Sequence, residues 1–208
     1  LEMIRKFFIN SKEPPLLMVG FNRRFSPISN EIKKLIKQRN NPLIINYQMN
    51  AGYLPIDHWV YSEEGSGRII GEACHIIDLF SYFIGSSATE INTSVLGDKR
   101  DIFGDEDICI SIKYDDGSLG ILNYFSKGST NLSKERFEIH FDGKSIVVDD
   151  YKKMQGFGLA LTKNFKKSEK GFLEELKVLR NYLTGVYEYG PKELESIFET
   201  TALTLELK

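Results

Sequence analysis

Cysteine is scarce in this sequence. The two residues present, Cys74 and Cys109, are too few and too far apart for a disulfide framework. Both stand in apolar surroundings, so reduced, buried thiols in a cytoplasmic protein are expected. An excess of either charge is missing as well. Lys plus Arg number 27 against 29 Asp plus Glu, for a net charge of −2. That balance provides no global field to hold a nucleic-acid backbone or an anionic membrane. No apolar run is long enough to cross a bilayer, and Leu1 to Lys12 lacks the apolar core and cleavage site of a secretory signal. Internal repeats, heptad arrays and low-complexity tracts do not occur. Histidine is limited to three, without HxH or HxxxH spacing, which argues against a metal site built from His58, His75 and a carboxylate. The ExxH at Glu72–His75 is half of a di-iron bundle signature with no second copy. No G-x-S-x-G elbow supports a serine nucleophile.

What is present is a chain of 208 residues, 41% hydrophobic and 27% charged, the composition of a soluble globular domain with a substantial core. IRKFFINSKEPP reads as a helix end and loop, and LLMVGFN as a short buried strand ending at a glycine. SPISNEIKKLIKQRN follows, with Ser26 as N-cap, Pro27 at the first helical position and a stripe of Ile28, Ile32, Leu35 and Ile36. PLIINYQMN (42–50) reads as a strand, and NAGYLPIDHWV as an irregular loop with polar and aromatic tips. From Thr89 strand follows strand: TEINTSVLG, DICISIKY, SLGILNYF, RFEIHFD and KSIVVDD. DDG at 115–117 and DGK at 142–144 are tight-turn signals, implying antiparallel neighbours in a meander. Ser168 opens an amphipathic helix with Phe172, Leu176, Leu179 and Leu183 on one face, ended by Gly185. Gly190-Pro191 opens a last helix. The pattern predicts an α+β fold: one open, mostly antiparallel sheet with flanking helices on one face. Ile108, Ile110 and Ile112 alternate with Cys109, Ser111 and Lys113, so one sheet face is far more apolar, and self-association through the less covered face is expected.

One stretch departs from this pattern. GSGRIIGEACHIIDLF (65–80) looks built for burial, yet it carries Arg68, Glu72, His75 and Asp78. On a helix over 67–84 these four fall on one narrow stripe, with Gly71 between His75 and Asp78. An apolar helix with a narrow ionisable stripe suits a segment that is buried except where it lines a cavity. Neutral imidazole accepts a proton near neutral pH, and Glu72 or Asp78 could orient His75 or raise its pKa. The same spacing fits equally a satisfied core histidine beside a structural i, i+4 ion pair of Arg68 and Glu72. Gly65, Gly67 and Gly71 spell G-x-G-x-x-x-G, one residue longer than the dinucleotide fingerprint, and no buried strand precedes them. A nucleotide-binding loop is therefore rejected here.

VGFNRRFSP (19–27), NAGYLPIDHWV (50–60) and GSGRIIGEACHIIDLF, in that order, together resemble the glucose–fructose oxidoreductase/inositol dehydrogenase/MocA family. More narrowly, they are similar to dehydrogenases found with bacterial surface-polysaccharide genes. The ending, GFLEELKVLRNYLTG then GPKELESIFETTALTLEL, also resembles the family's last two helices. The resemblance implies an N-terminal Rossmann domain holding NAD or NADP, then an α+β domain whose sheet often mediates dimers or tetramers, with substrate between the two. It also implies that His75 contacts the reacting hydroxyl, assisted by a lysine of a Glu-Lys-Pro motif in the first domain.

Neither that motif nor the phosphate-binding glycines occur in this chain. Residues 1–20 are therefore expected to be a remnant of the end of the Rossmann domain, with LLMVGFN as its last strand. Residues 21–208 are then the C-terminal substrate-binding and oligomerisation domain, of the dihydrodipicolinate-reductase-like type, with no cofactor-binding or metal-binding residue of its own. Many relatives place an aspartate four residues before the histidine. Here that position is Gly71 and the acid is Glu72, so Glu72 does not simply inherit the aspartate's role. The resulting expectation is the substrate domain of an NAD- or NADP-dependent oxidoreductase acting on a secondary alcohol of a sugar, nucleotide sugar or cyclitol. His75 and Glu72 are its catalytic candidates, and Arg24, Asn50, Tyr53, His58, Trp59 and Arg68 its substrate-binding candidates. Standing alone, the chain is expected to be a binding and oligomerisation module without catalysis.

Overall fold

The computed structural model of the chain describes residues 1–96, 107–188 and 190–207. Among them, eight strands form one sheet: β1 (Ile44–Asn50), β2 (Ala88–Val95), β3 (Ile108–Tyr114), β4 (Leu119–Phe125), β5 (Glu135–Phe141), β6 (Lys144–Asp149), β7 (Lys153–Phe157) and β8 (Thr162–Asn164). The sheet order is β2-β3-β4-β1-β5-β6-β7-β8, and only the β1–β4 pair is parallel. The α+β class and the open, mostly antiparallel sheet are therefore as expected. The expected meander is interrupted, however. β1 enters between β4 and β5, so the five predicted strands flank it instead of running on unbroken. Gly97, the last residue of the predicted TEINTSVLG strand, lies outside the described residues. β7 and β8 were not foreseen, because KMQGF and TKN are short and lack a clear apolar alternation.

Two turns set the register where the sequence places them. Asp142 and Gly143, with φ of 45° and 71°, link β5 to β6 in the two-residue loop whose positive φ values match the strand twist. Tyr114 to Ser118 close the β3–β4 hairpin around Gly117. The inward-pointing residues, among them Ile45, Tyr47, Ile110, Ile112, Leu122, Phe137, Ile139 and Ile146, are fully or almost fully buried. Helices α2 (Pro27–Ile36), α3 (Cys74–Ile84) and α5 (Pro191–Glu206) belong to the layer that covers this face. Ser26 caps α2 as predicted, its Oγ accepting from the amides of Ile28 and Ser29. Gly120 on β4 makes room for α3. A Cβ there would lie 2.4 Å from the Phe80 ring, so any side chain would push the helix off the sheet. The isoleucine face is thus the helix-covered one. The open face carries Asn46, Ser111, Ile121, Glu138 and Val147, half-buried by their neighbours alone.

Three expectations need correction. LLMVGFN forms no strand: Phe21, at φ −77° and ψ 62°, makes a tight inverse turn in which the Asn22 amide donates to the Gly20 carbonyl. That turn feeds a 3-10 segment, Asn22–Phe25. The helix expected from Ser168 begins at Phe172 instead, as α4 (Phe172–Leu183). The hydroxyl of Ser168 donates to the Asp150 carbonyl, so it does not cap the helix. The predicted apolar stripe of α4 lies open, with Phe172 64%, Leu176 61% and Leu183 70% exposed. Finally, Cys74 and Cys109 are free thiols but only half-buried. The first helix, α1 (Glu2–Asn10), likewise exposes Met3, Ile4, Phe7 and Ile9.

Candidate functional site

Strand directions gather one cluster at one end of the sheet. β1 and β4 run parallel and β5 antiparallel to them, so the C-terminal ends of β1 and β4 meet the N-terminal end of β5. Met49 faces both Tyr124 and Glu135 across those ladders. Helix α3 begins over this end, and its approach is a π-turn, Ile69–Ala73, directly after Arg68. A π-turn is wider than an α-turn. A wheel drawn at regular α spacing through 67–84 therefore misplaces the residues before His75 relative to it.

Glu72 turns toward the strands and not toward His75. It accepts a hydrogen bond from the Tyr124 hydroxyl, and Lys134 Nζ lies 3.3 Å from its other oxygen. Arg68 reaches it at 3.2 Å. Burial works to raise the Glu72 pKa, but Tyr124, Lys134 and Arg68 outweigh it and hold the carboxylate below its ordinary value. Arg68 itself is a strut. It is 3% exposed and donates to the carbonyls of Ala51 (2.9 Å) and Gly52 (2.6 Å), tying the 51–60 loop to the helix.

His75 is half-buried, with Phe21 meeting its ring edge-to-face at 5.9 Å. Its Nδ1 is buried and has no hydrogen-bond partner among the described residues. The pKa falls from 6.5 to about 4, first through burial and then through the positive charge of Arg23, against weaker pulls from Glu135 and Glu72. Neither Glu72 nor Asp78 raises it to the neutral range, and Asp78 is engaged elsewhere. The Asp78 carboxylate is fully buried and gripped by both arms of Arg24, with Nε at 2.8 Å, while Arg24 also donates to Ser196. Cys74, beside His75 in sequence, is pushed up to about 11 by burial, which rules out a ready thiolate.

The other candidates are spread out. Asn50 Nδ2 donates to the carbonyls of Ser129 and Leu132, and its Oδ1 is buried with no partner among the described residues. Tyr53 and Trp59 are 79% and 68% exposed on the loop before the π-turn. His58 stands beside Trp59 with ring centroids 5.9 Å apart, its Nδ1 accepting from the Val60 amide. Sequence reading missed the group behind His75. Arg23 holds Glu135 through two hydrogen bonds, 2.7 and 2.9 Å, and Lys170 adds a third at 2.6 Å. The Tyr47 hydroxyl donates to Glu135 as well. Burial opposes ionisation of Glu135, yet Arg23 and Lys170 prevail and bring its pKa down to about 2.

Gly65 belongs to the loop packing: a Cβ there would sit 2.4 Å from the Val60 carbonyl. Among the described residues no group of three or more His, Cys, Asp or Glu could hold a metal ion, and no helix is long and apolar enough to cross a membrane. No family model and no curated protein matches the sequence. Solved structures do match the fold. An oxidoreductase from Thermotoga maritima superposes with a TM-score of 0.73 at 15% identity, over 98% of this chain and 62% of that one. The UDP-N-acetylglucosamine 3-dehydrogenase of Acidithiobacillus ferrooxidans gives 0.71 at 13%, over 92% and 60%. A levoglucosan dehydrogenase, in complex with NADH and levoglucosan, gives 0.63 at 19%, over 90% and 63%. The fold is shared with these oxidoreductases. This chain spans 60–63% of their length.

Proposed function

We propose that this chain is the substrate domain of a nicotinamide-dependent oxidoreductase of the glucose–fructose oxidoreductase/inositol dehydrogenase/MocA type, and that His75 is its proton-transfer group. The observation that carries this reading is the setting of His75: a half-buried imidazole edge-on to Phe21 and held uncharged chiefly by burial, on the helix whose π-turn carries ionised Glu72. An uncharged imidazole is the accepting form, so a substrate hydroxyl can pass its proton to Nε2 as the alcohol carbon is oxidised. In the reverse direction the imidazolium returns it. Glu72, kept ionised and anchored by Tyr124 and Lys134, accepts hydrogen bonds from neighbouring hydroxyls of a sugar or cyclitol. Tyr53 and Trp59 offer flat apolar surface to a sugar face. Arg24 and Arg68 spend polar groups on the protein and set loop and helix positions, whereas Asn50 ties down the 129–132 segment through Nδ2 and keeps Oδ1 without a partner among the described residues.

The residues present do not fit NAD or NADP. The redox half of the reaction is therefore assigned to a nicotinamide held by a companion Rossmann domain, with residues 1–20 leading out of it. Support comes from the share of the neighbours' length spanned here, and from the exposed apolar side chains of α1 and α4, which such a domain can cover. The levoglucosan and NADH bound to one neighbour, and the nucleotide sugar in another's name, favour a carbohydrate substrate. Separated from that domain, the chain acts as a binding and assembly module, pairing through its open sheet face. The functional test is to mix the intact protein with NAD or NADP and a panel of sugars, nucleotide sugars and cyclitols, following the nicotinamide absorbance. Turnover with at least one polyol is expected. Failure with all of them, alongside activity on a substrate with no carbinol carbon, overturns the reading.

A further inference from the structure

The end of β1 fastens the loop between β4 and β5. Asn50 is 7% exposed, and its Nδ2 donates to the carbonyls of Ser129 and Leu132 at 2.8 and 3.4 Å. Its backbone amide donates to the Lys134 carbonyl at 2.8 Å. Gly128 lets the loop close on this clamp, because a Cβ there would lie 2.4 Å from Asn50 Oδ1. The Lys134 side chain therefore leaves the backbone at a fixed point, immediately before β5. It reaches Glu72, with Nζ 3.3 Å from Oε1, and stays 45% exposed. Glu72 does not depend on that contact for its place, since Tyr124 and Arg68 both bond its other oxygen. A half-exposed lysine–glutamate pair also adds little stability. Lys127, the other lysine of the loop, goes to Asp107 at 3.1 Å. An ammonium carries more protons than the one Glu72 takes, and a carboxylate oxygen accepts more than one hydrogen bond. Both groups thus keep capacity for a ligand on their exposed side.

We propose that Lys134 is a substrate-contacting residue, donating to one hydroxyl of a polyol while Glu72 accepts from its neighbour, so that the pair selects a vicinal diol. The inference rests on the reading of this end of the sheet as a site of polyol oxidation. A separation of one hydrogen bond between Nζ and Oε1 suits two adjacent hydroxyls on a ring. A carboxylate or phosphate would meet Glu72 as well as Lys134, which favours a neutral group here.

The experiment measures equilibrium binding of glucose, levoglucosan and myo-inositol to the intact protein by titration calorimetry. NADH or NADPH is present, so that an alcohol binds without reacting. Wild type is compared with Lys134→Met and Lys134→Arg, first on these probes and then on the monodeoxy forms of the one bound best. The Met variant keeps the bulk of the stem and loses the donor, so it should bind that probe about tenfold more weakly. Arg should recover part of the loss. At least one monodeoxy form should bind wild type and the Met variant equally, because the hydroxyl that Lys134 meets is then missing. An equal loss on every monodeoxy form means a structural role and overturns the proposal. Unchanged affinity in the Met variant, or no binding of any probe by wild type, overturns it too. So does a wild-type preference for glucuronate over glucose that disappears in the Met variant, which would mark an anion site. Turnover of polyols with unchanged binding in Lys134→Met refutes only the role of Lys134. A diol-dependent loss in a protein that oxidises no polyol refutes only the oxidoreductase reading.

Discussion

Burial and a neighbouring guanidinium act on the His75 ring in the same direction, which gives the residue a defined pH signature. The acid limb of kcat/KM for alcohol oxidation should lie near pH 4, well below the ordinary histidine value of 6.5. A pH–rate profile checks this, and a limb at 6.5 or above contradicts the geometry. Glu135 is the second residue with a large expected effect. Glu135→Ala leaves buried Arg23 and half-buried Lys170 without their counter-charge and should cost about 3–5 kcal/mol in a denaturant melt. Part of this was legible in the sequence. In ERFEIHF, strict alternation puts Glu135 on the same face as Phe137, Ile139 and Phe141, and a glutamate on a buried face demands a partner. The identity of that partner was not legible, since Arg23 lies 112 residues away in sequence and meets Glu135 only in the folded chain.

At the scale of elements, period and turn chemistry read correctly wherever local signals are strong. Ser26-Pro27 starts α2 and Asp142-Gly143 closes a hairpin, both for reasons contained within a few residues. Ser26→Ala should therefore cost about 1 kcal/mol through loss of the cap, measured by chemical denaturation. Gly120→Ala should cost about 1–3 kcal/mol by driving a methyl into the Phe80 ring. Non-local pairing was not legible. The insertion of β1 between β4 and β5 pairs segments about 75 and 90 residues apart in the chain, and the π-turn at Ile69–Ala73 breaks the regular period on which any wheel relies. That turn explains why Glu72 and His75, drawn as neighbours on one stripe, face different partners. LLMVGFN looked like a strand because its composition suits one, but the turn at Phe21 bends the chain to bring an aromatic edge onto His75.

For the whole molecule, the same His75 shift predicts how stability follows pH. Folded, the ring titrates at about 4, against 6.5 for the unperturbed group. Between those values the unfolded chain binds the extra proton, so acidification favours unfolding. The contribution is fully present above pH 6.5 and is lost as pH falls toward 4, on the order of 3 kcal/mol. Glu135, at about 2 folded against 4.5, extends the loss below pH 4.5. Denaturant melts at stepped pH should show this slope in wild type and a shallower one between 6.5 and 4.5 in His75→Gln. The account of the assembled protein rests on His75 moving the proton, and this is tested most directly by measuring turnover and melting temperature on the same preparations of intact wild-type and His75→Ala enzyme. Turnover should fall by about a hundredfold or more, with the fold and cofactor affinity retained. A His75→Ala enzyme that melts at lower temperature but keeps wild-type turnover per folded molecule contradicts the account.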